Sequence, residues 1–77
     1  MSNAGATKYP RQEKLMHRRQ VMNLTRAELA EKSGVSEFVI VAYELGKRAA
    51  KVENMLKLAT ALGCTIDEIV AKQGDKR

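Results

Sequence analysis

The sequence predicts an all-α fold, a compact bundle of five short helices around one aliphatic core. Three observations carry that expectation. Apolar residues recur three and four positions apart along most of the chain. Two Thr-x-x-Glu signatures, Thr25 with Glu28 and Thr65 with Glu68, put reciprocal capping boxes where helices should begin. Gly34, Gly46 and Gly63 stand where the apolar runs stop, the position at which a left-handed residue ends a helix.

Residues 1–9 are expected to be a disordered N-terminal segment, in which Ser2-Asn3-Ala4 looks like a cloning scar. Pro10 suits a first helical turn, where its missing N–H does no harm. A first helix is expected from Arg11 to about Met22, with Leu15, Arg18 and Met22 on one side. Asn23 can take the left-handed end, and Leu24 turns back to the core. Thr25 then opens a second helix running to about Ser33, with Leu29 and Ala30 as its apolar residues. Val35 plugs the corner after Gly34, and Ser36 offers a second N-cap oxygen. The third helix is expected over Glu37 to Leu45. Phe38-Val39-Ile40-Val41 has the local propensity of a strand, but Ser36 and Gly46 bracket a segment of helical length.

Gly46 to Ala50 reads as a short basic loop. A fourth helix follows from Val52 to Leu62, with Val52, Met55, Leu56, Ala59 and Leu62 at helical spacing. A fifth is expected from Ile66 to about Lys72, burying Ile66, Ile69 and Val70, before a frayed tail at 73–77. The ordered domain is thus expected over residues 10–72, with no repeat, low-complexity tract or second domain.

At 77 residues the chain makes one domain, and a domain this size buries only about 60% of its unfolded surface. No apolar run reaches the length that spans a bilayer, and no secretory h-region is present. The single cysteine, Cys64, cannot form an internal disulfide, so a cytoplasmic location is expected. The formal charge is +5, which favours an acidic partner such as nucleic acid. Its distribution is more telling: residues 1–25 carry a net +4, residues 26–45 a net −2 and residues 46–51 a net +3. Positive charge flanks the central two-helix unit, as phosphate clamping on either side of an inserted helix requires.

Catalysis finds no support. His17 stands on the first helix without a second histidine or a nearby cysteine, so no metal site is expected. Cys64 reads as a small buried hydrophobe, and Met16, Met22 and Met55 as helix-face or gap-filling residues. No phosphate-cradling glycine loop and no nucleophile–base set occurs, so the chain is expected to be neither an enzyme nor a cofactor protein.

Two helices joined by a short glycine-containing turn make a helix-turn-helix. Leu24-Thr25 with Glu28-Leu29-Ala30, then Gly34-Val35-Ser36, Ile40, Glu44 and Gly46-Lys47, then Leu56, Leu58-Ala59, Leu62-Gly63 and Asp67-Glu68, resemble the phage repressor/Cro (Xre) helix-turn-helix family. The resemblance runs from about Leu15 to Val70. It implies a repressor-like five-helix domain that binds operator DNA, usually as a homodimer, and regulates transcription, most often as a repressor. The third helix would enter the major groove; at 1.5 Å per residue it would be about 13 Å long, against a groove about 12 Å wide. Position by position, the resemblance implies DNA contacts from Arg19, Arg26, Ser36, Glu37, Phe38, Val41, Ala42, Lys47 and Arg48. Lys47 and Arg48 match the family's phosphate-binding loop, and Arg26 a place that touches backbone or bases. Arg19 and Glu44 match an ion pair that would fix the docking angle of the third helix.

The chain departs from the family on its reading surface. With Ile40 and Tyr43 inward, Phe38, Ala42 and Leu45 are expected outward and Val41 on the flank, where the family more often carries polar residues. Apolar side chains cannot form bidentate bonds to guanine or adenine, although they can pack on thymine methyls. Glu37 could accept from cytosine N4. The alternative reading is a protein-interaction module that uses Phe38, Ala42 and Leu45 on the same scaffold.

Overall fold

The structure is a computed structural model that describes residues 8–71. The expected cloning scar, the frayed tail and the Lys72 end of the fifth helix lie outside those residues. Four α-helices follow one another: α1 (Glu13–Val21), α2 (Arg26–Ser33), α3 (Glu37–Leu45) and α4 (Val52–Leu62), with a single 3-10 turn at Ile66–Glu68. No strand occurs among the described residues.

α2 and α3 start at side-chain oxygens. Thr25 accepts from the Glu28 N–H at 3.0 Å while the Glu28 carboxylate accepts from the Thr25 N–H at 2.8 Å. Ser36 Oγ accepts from the Val39 N–H at 3.1 Å, which opens α3 despite its strand-favouring residues. Between these helices Gly34 has φ +80° and its N–H bonds the Ala30 carbonyl. Nothing lies within 4 Å of a Cβ built there, so the glycine serves backbone conformation rather than space. Asn23 takes the left-handed φ of 61° after α1.

Leu15, Leu29, Ile40, Met55, Leu58, Leu62 and Ile69 are fully or almost fully buried, with Val35 and Tyr43 beside them. Burying each such aliphatic side chain contributes about 1.5–3 kcal/mol. α2 packs on both α3 and α4, and α1 crosses α3.

Several expectations are corrected. The fifth helix is one 3-10 turn. Its capping box forms, with Glu68 accepting from the Thr65 N–H at 3.1 Å, but Ile69 leaves helical geometry at φ −125°. The Ala71 N–H then bonds Gln12 Oε1 at 2.7 Å, so the donor that would continue a helix is taken by the N-terminal segment. Gln12 is itself buried and is the N-cap of α1, which begins two residues later than expected, after Pro10. Tyr9, placed by the sequence reading in the disordered segment, donates its N–H to the Gly46 carbonyl at 3.2 Å. Met22 is exposed because the inward face of α1 runs through Leu15 and Arg19. Val52 and Leu56 are also exposed, since α4 turns Met55, Leu58, Ala59 and Leu62 to the core.

Candidate nucleic-acid interface

The interface is built around a buried acid. Glu44, on the inner face of α3, is 1% exposed. Its Oε2 accepts from Arg19 Nε at 2.7 Å, and its Oε1 accepts from Arg19 Nη2 at 3.1 Å and from Arg26 Nε at 2.8 Å. Arg19 Nη1 also donates to the Leu24 carbonyl at 3.0 Å. One carboxylate thereby joins α1, the start of α2 and α3. A bidentate guanidinium pair fixes orientation as well as distance, so α3 is held at a set angle to the rest of the domain.

The Arg19–Glu44 pair is therefore present, but Arg19 is buried and its guanidinium is committed on three nitrogens. These bonds turn the Arg19 guanidinium, expected also to touch DNA, into the domain, where it positions α3 from behind. Arg26 is only partly buried and remains at the surface through one edge.

A second anchor was not legible in the sequence. The Tyr43 hydroxyl accepts from the Lys51 N–H at 3.1 Å and from Asn54 Nδ2 at 3.0 Å. This ties the loop between α3 and α4 to the inner face of α3. The Lys47 N–H bonds the Ala42 carbonyl at 2.8 Å, closing the end of α3 and fixing where Lys47 and Arg48 leave the helix. A tyrosine in a core-facing position carries only an apolar signal; the acceptor role of its hydroxyl depends on where the loop returns.

On the outer side, Ser36, Glu37, Phe38, Lys47 and Arg48 are exposed, and Val41 and Leu45 are half-buried. Ala42 is not outward as expected: at 5% exposure it forms the floor of a shallow groove walled by Phe38, Val41, Leu45, Lys47 and Arg48. Phe38 itself is 67% exposed. The Arg48 guanidinium lies over its ring, 5.1 Å from the centroid, a cation–π contact. The surface thus presents an apolar strip along α3, basic groups at one end, and Arg26 from α2.

Away from this face, Arg18 Nη2 makes long contacts, 3.4 and 3.5 Å, to the Leu62 and Gly63 carbonyls, where a cation complements the C-terminal end of α4. Cys64 is half-buried; burial pushes its thiol pKa up, against a smaller lowering by Arg18. A thiol so held is a poor nucleophile. No group of three His, Cys, Asp or Glu that could hold a metal occurs among the described residues. No helix among them is long and apolar enough to cross a membrane.

Two capped helices meeting at a left-handed glycine, with the second presenting a free face between basic groups, define a helix-turn-helix DNA-binding domain. The family model described as helix-turn-helix matches residues 15–69, and the chain belongs to the Xre-type helix-turn-helix family of DNA-binding transcription regulators. It is 35% identical over 60 residues to the cryptic phage CTXphi transcriptional repressor RstR of Vibrio cholerae, an alignment that covers 78% of this chain and 54% of that protein. The chain therefore spans about half the length of that repressor. Among solved structures, the restriction-modification controller protein C.AhdI from Aeromonas hydrophila superposes with a TM-score of 0.72 at 33% identity, covering 75% of this chain and 88% of that one. The P22 c2 repressor, solved in complex with a synthetic operator, superposes with a TM-score of 0.70 at 29% identity, covering 80% of this chain and 94% of that one.

Proposed function

We propose that this chain is a sequence-specific double-stranded DNA-binding regulator that acts as a repressor. It binds as a homodimer with α3 in the major groove. The observation that supports this most is the arrangement around α3. A buried carboxylate bridging Arg19 and Arg26 holds the helix from within, while Phe38, Val41 and the exposed cations Lys47 and Arg48 face outward together. Lys47, Arg48 and Arg26 meet phosphates on either side of the helix, and the Ser36 hydroxyl, which accepts from its own helix, keeps a proton to donate to the backbone. Glu37 and Phe38 face base edges. Val52 and Leu56, exposed one turn apart on α4, offer apolar surface for the subunit contact. The reading is non-enzymatic and needs no cofactor, and it places the protein in the cytoplasm.

A random duplex pool incubated with the full chain, followed by recovery and sequencing of the bound fraction, tests it. Enrichment of a two-fold-symmetric sequence is expected. Recovery of unrelated sequences with equal affinity would contradict specific recognition. The exposed Phe38 favours one other reading, a protein-interaction surface on the same face.

A further inference from the structure

The reading face of α3 is chemically one-sided. Glu37 is its only exposed polar side chain, because Tyr43 and Glu44 point inward. The remainder is Phe38, Val41 and Leu45 over the Ala42 floor, a groove of about 340 Å3. α3 itself therefore brings no hydrogen-bond donor to a base edge. The donors that border the groove, Lys47 and Arg48, come from outside the helix. Arg48 reaches back along α3 until its guanidinium lies 5.1 Å from the centroid of the Phe38 ring. A cation over a ring is held by the ring's electron-rich face and loses none of its N–H donors to that contact. No hydrogen bond or ion pair to another described residue occupies those donors.

A donor fork beside an apolar ring matches a particular feature of the major groove. Guanine offers O6 and N7 to a bidentate arginine, and a thymine or 5-methylcytosine on its 5′ side offers a C5 methyl to the ring. We infer that Phe38 and Arg48 are one reading unit for a C5-methylated pyrimidine followed by guanine. The inference rests on the DNA-binding reading above and deepens it, since Arg48 becomes a specificity determinant rather than a phosphate clamp. The charges favour duplex DNA as the occupant. Both polar groups on the groove's rim, Lys47 and Arg48, are cationic. The phosphate backbone meets such cations at every step, whereas a protein helix would need acidic residues placed against each.

Duplexes enriched from the random pool supply the probe. Each thymine that precedes guanine is replaced by deoxyuridine, which removes only the methyl. The corresponding cytosine–guanine duplex is compared with and without 5-methylcytosine. At one or more such steps, uridine should weaken binding about fourfold, the fold-change equivalent to about 0.8 kcal/mol for one buried carbon. Methylation of cytosine at the same step should strengthen binding by a similar factor. Phe38→Ala should bind thymine and uridine duplexes equally, with circular dichroism melts checking that the fold is kept. Arg48→Ala should lose discrimination at the guanine. Enriched duplexes that bind specifically yet tolerate uridine at every thymine, and ignore cytosine methylation, would overturn the inference while leaving DNA binding intact. A pool from which nothing is enriched would remove the DNA-binding reading and this inference with it.

Discussion

The two faces of α3 are made from the same nine residues and solve opposite problems. The inner face carries the polar chemistry: Glu44 and Tyr43 are buried, and each accepts from more than one partner. The outer face is exposed, yet it is mostly apolar. Ordinary amphipathic helices are the other way round. Buried polar groups cost free energy unless they are bonded, and once bonded they specify one geometry. The inner face therefore fixes where α3 stands. The outer face, free of that duty, leaves hydrophobic surface in water, which a protein maintains for contact with something else.

Breaking the inner face should have the largest effect. Glu44→Ala leaves two guanidinium groups without their acceptor and should cost about 3–5 kcal/mol in denaturant melts, the range for a broken buried pair. Arg19→Ala should follow the same path and cost clearly more than Lys14→Ala, because Lys14 is exposed. Equal, negligible losses at both positions would show that the pair holds nothing.

The outer face should fail differently. Phe38→Ala should leave the melt nearly unchanged but weaken binding to an enriched duplex by about 1–3 kcal/mol, the order of a good base contact. Non-specific affinity should stay close to wild type, since it comes from the cations. Unchanged duplex affinity with loss of self-association in sedimentation would move Phe38 from a DNA-reading to a protein-contacting role.

Tyr43→Phe sharpens the comparison at smaller scale. It keeps the ring and removes the acceptor for Lys51 and Asn54, so about 1 kcal/mol of stability should be lost. The loop bearing Lys47 and Arg48 should loosen, measurable as faster amide exchange. Smallest is a pH effect far from α3. The Thr65 N–H, then the Thr65 hydroxyl, lower the Glu68 carboxyl pKa below its ordinary value. That contribution is present above the ordinary carboxylate pKa and is lost as pH falls through the lowered one. In acid, Glu68→Gln and wild type should converge in stability; a gap that widens on acidification would contradict the assignment.

Much of this was legible in the sequence because it is local. Thr25 with Glu28, Ser36, Gly34 and Gly46 each act within one turn of chain, and α2 and α3 lie where those residues place them. The Thr65–Glu68 box carries the same signal and opens only one turn. What differs is distant: Gln12, far away in sequence, takes the Ala71 N–H. No spacing rule announces that bond. Spacing also failed on α4, where Val52 and Leu56 fit an apolar stripe that turns to solvent once Leu58 takes the core position. At the site, the family pattern indicated Arg19 with Glu44, but the second arginine on Glu44 and the burial that keeps Arg19 from the surface depend on how α1 crosses α3. Ala42 was misplaced for a related reason: Phe38, Arg48 and Leu45 rise around it, and a helical wheel has no walls.

On the proposed function, exposed cations beside α3 clamp a duplex while the helix reads it. The most direct test is the salt dependence of affinity for an enriched duplex, measured by anisotropy across a series of salt concentrations. With Arg19 buried, Arg26, Lys47 and Arg48 remain in each protomer of the proposed dimer. If two or three of them meet phosphate, a dimer neutralises about four to six. The slope of log K against log salt should then lie at about −4 to −5, from about −0.9 per phosphate. A slope near zero would contradict the account.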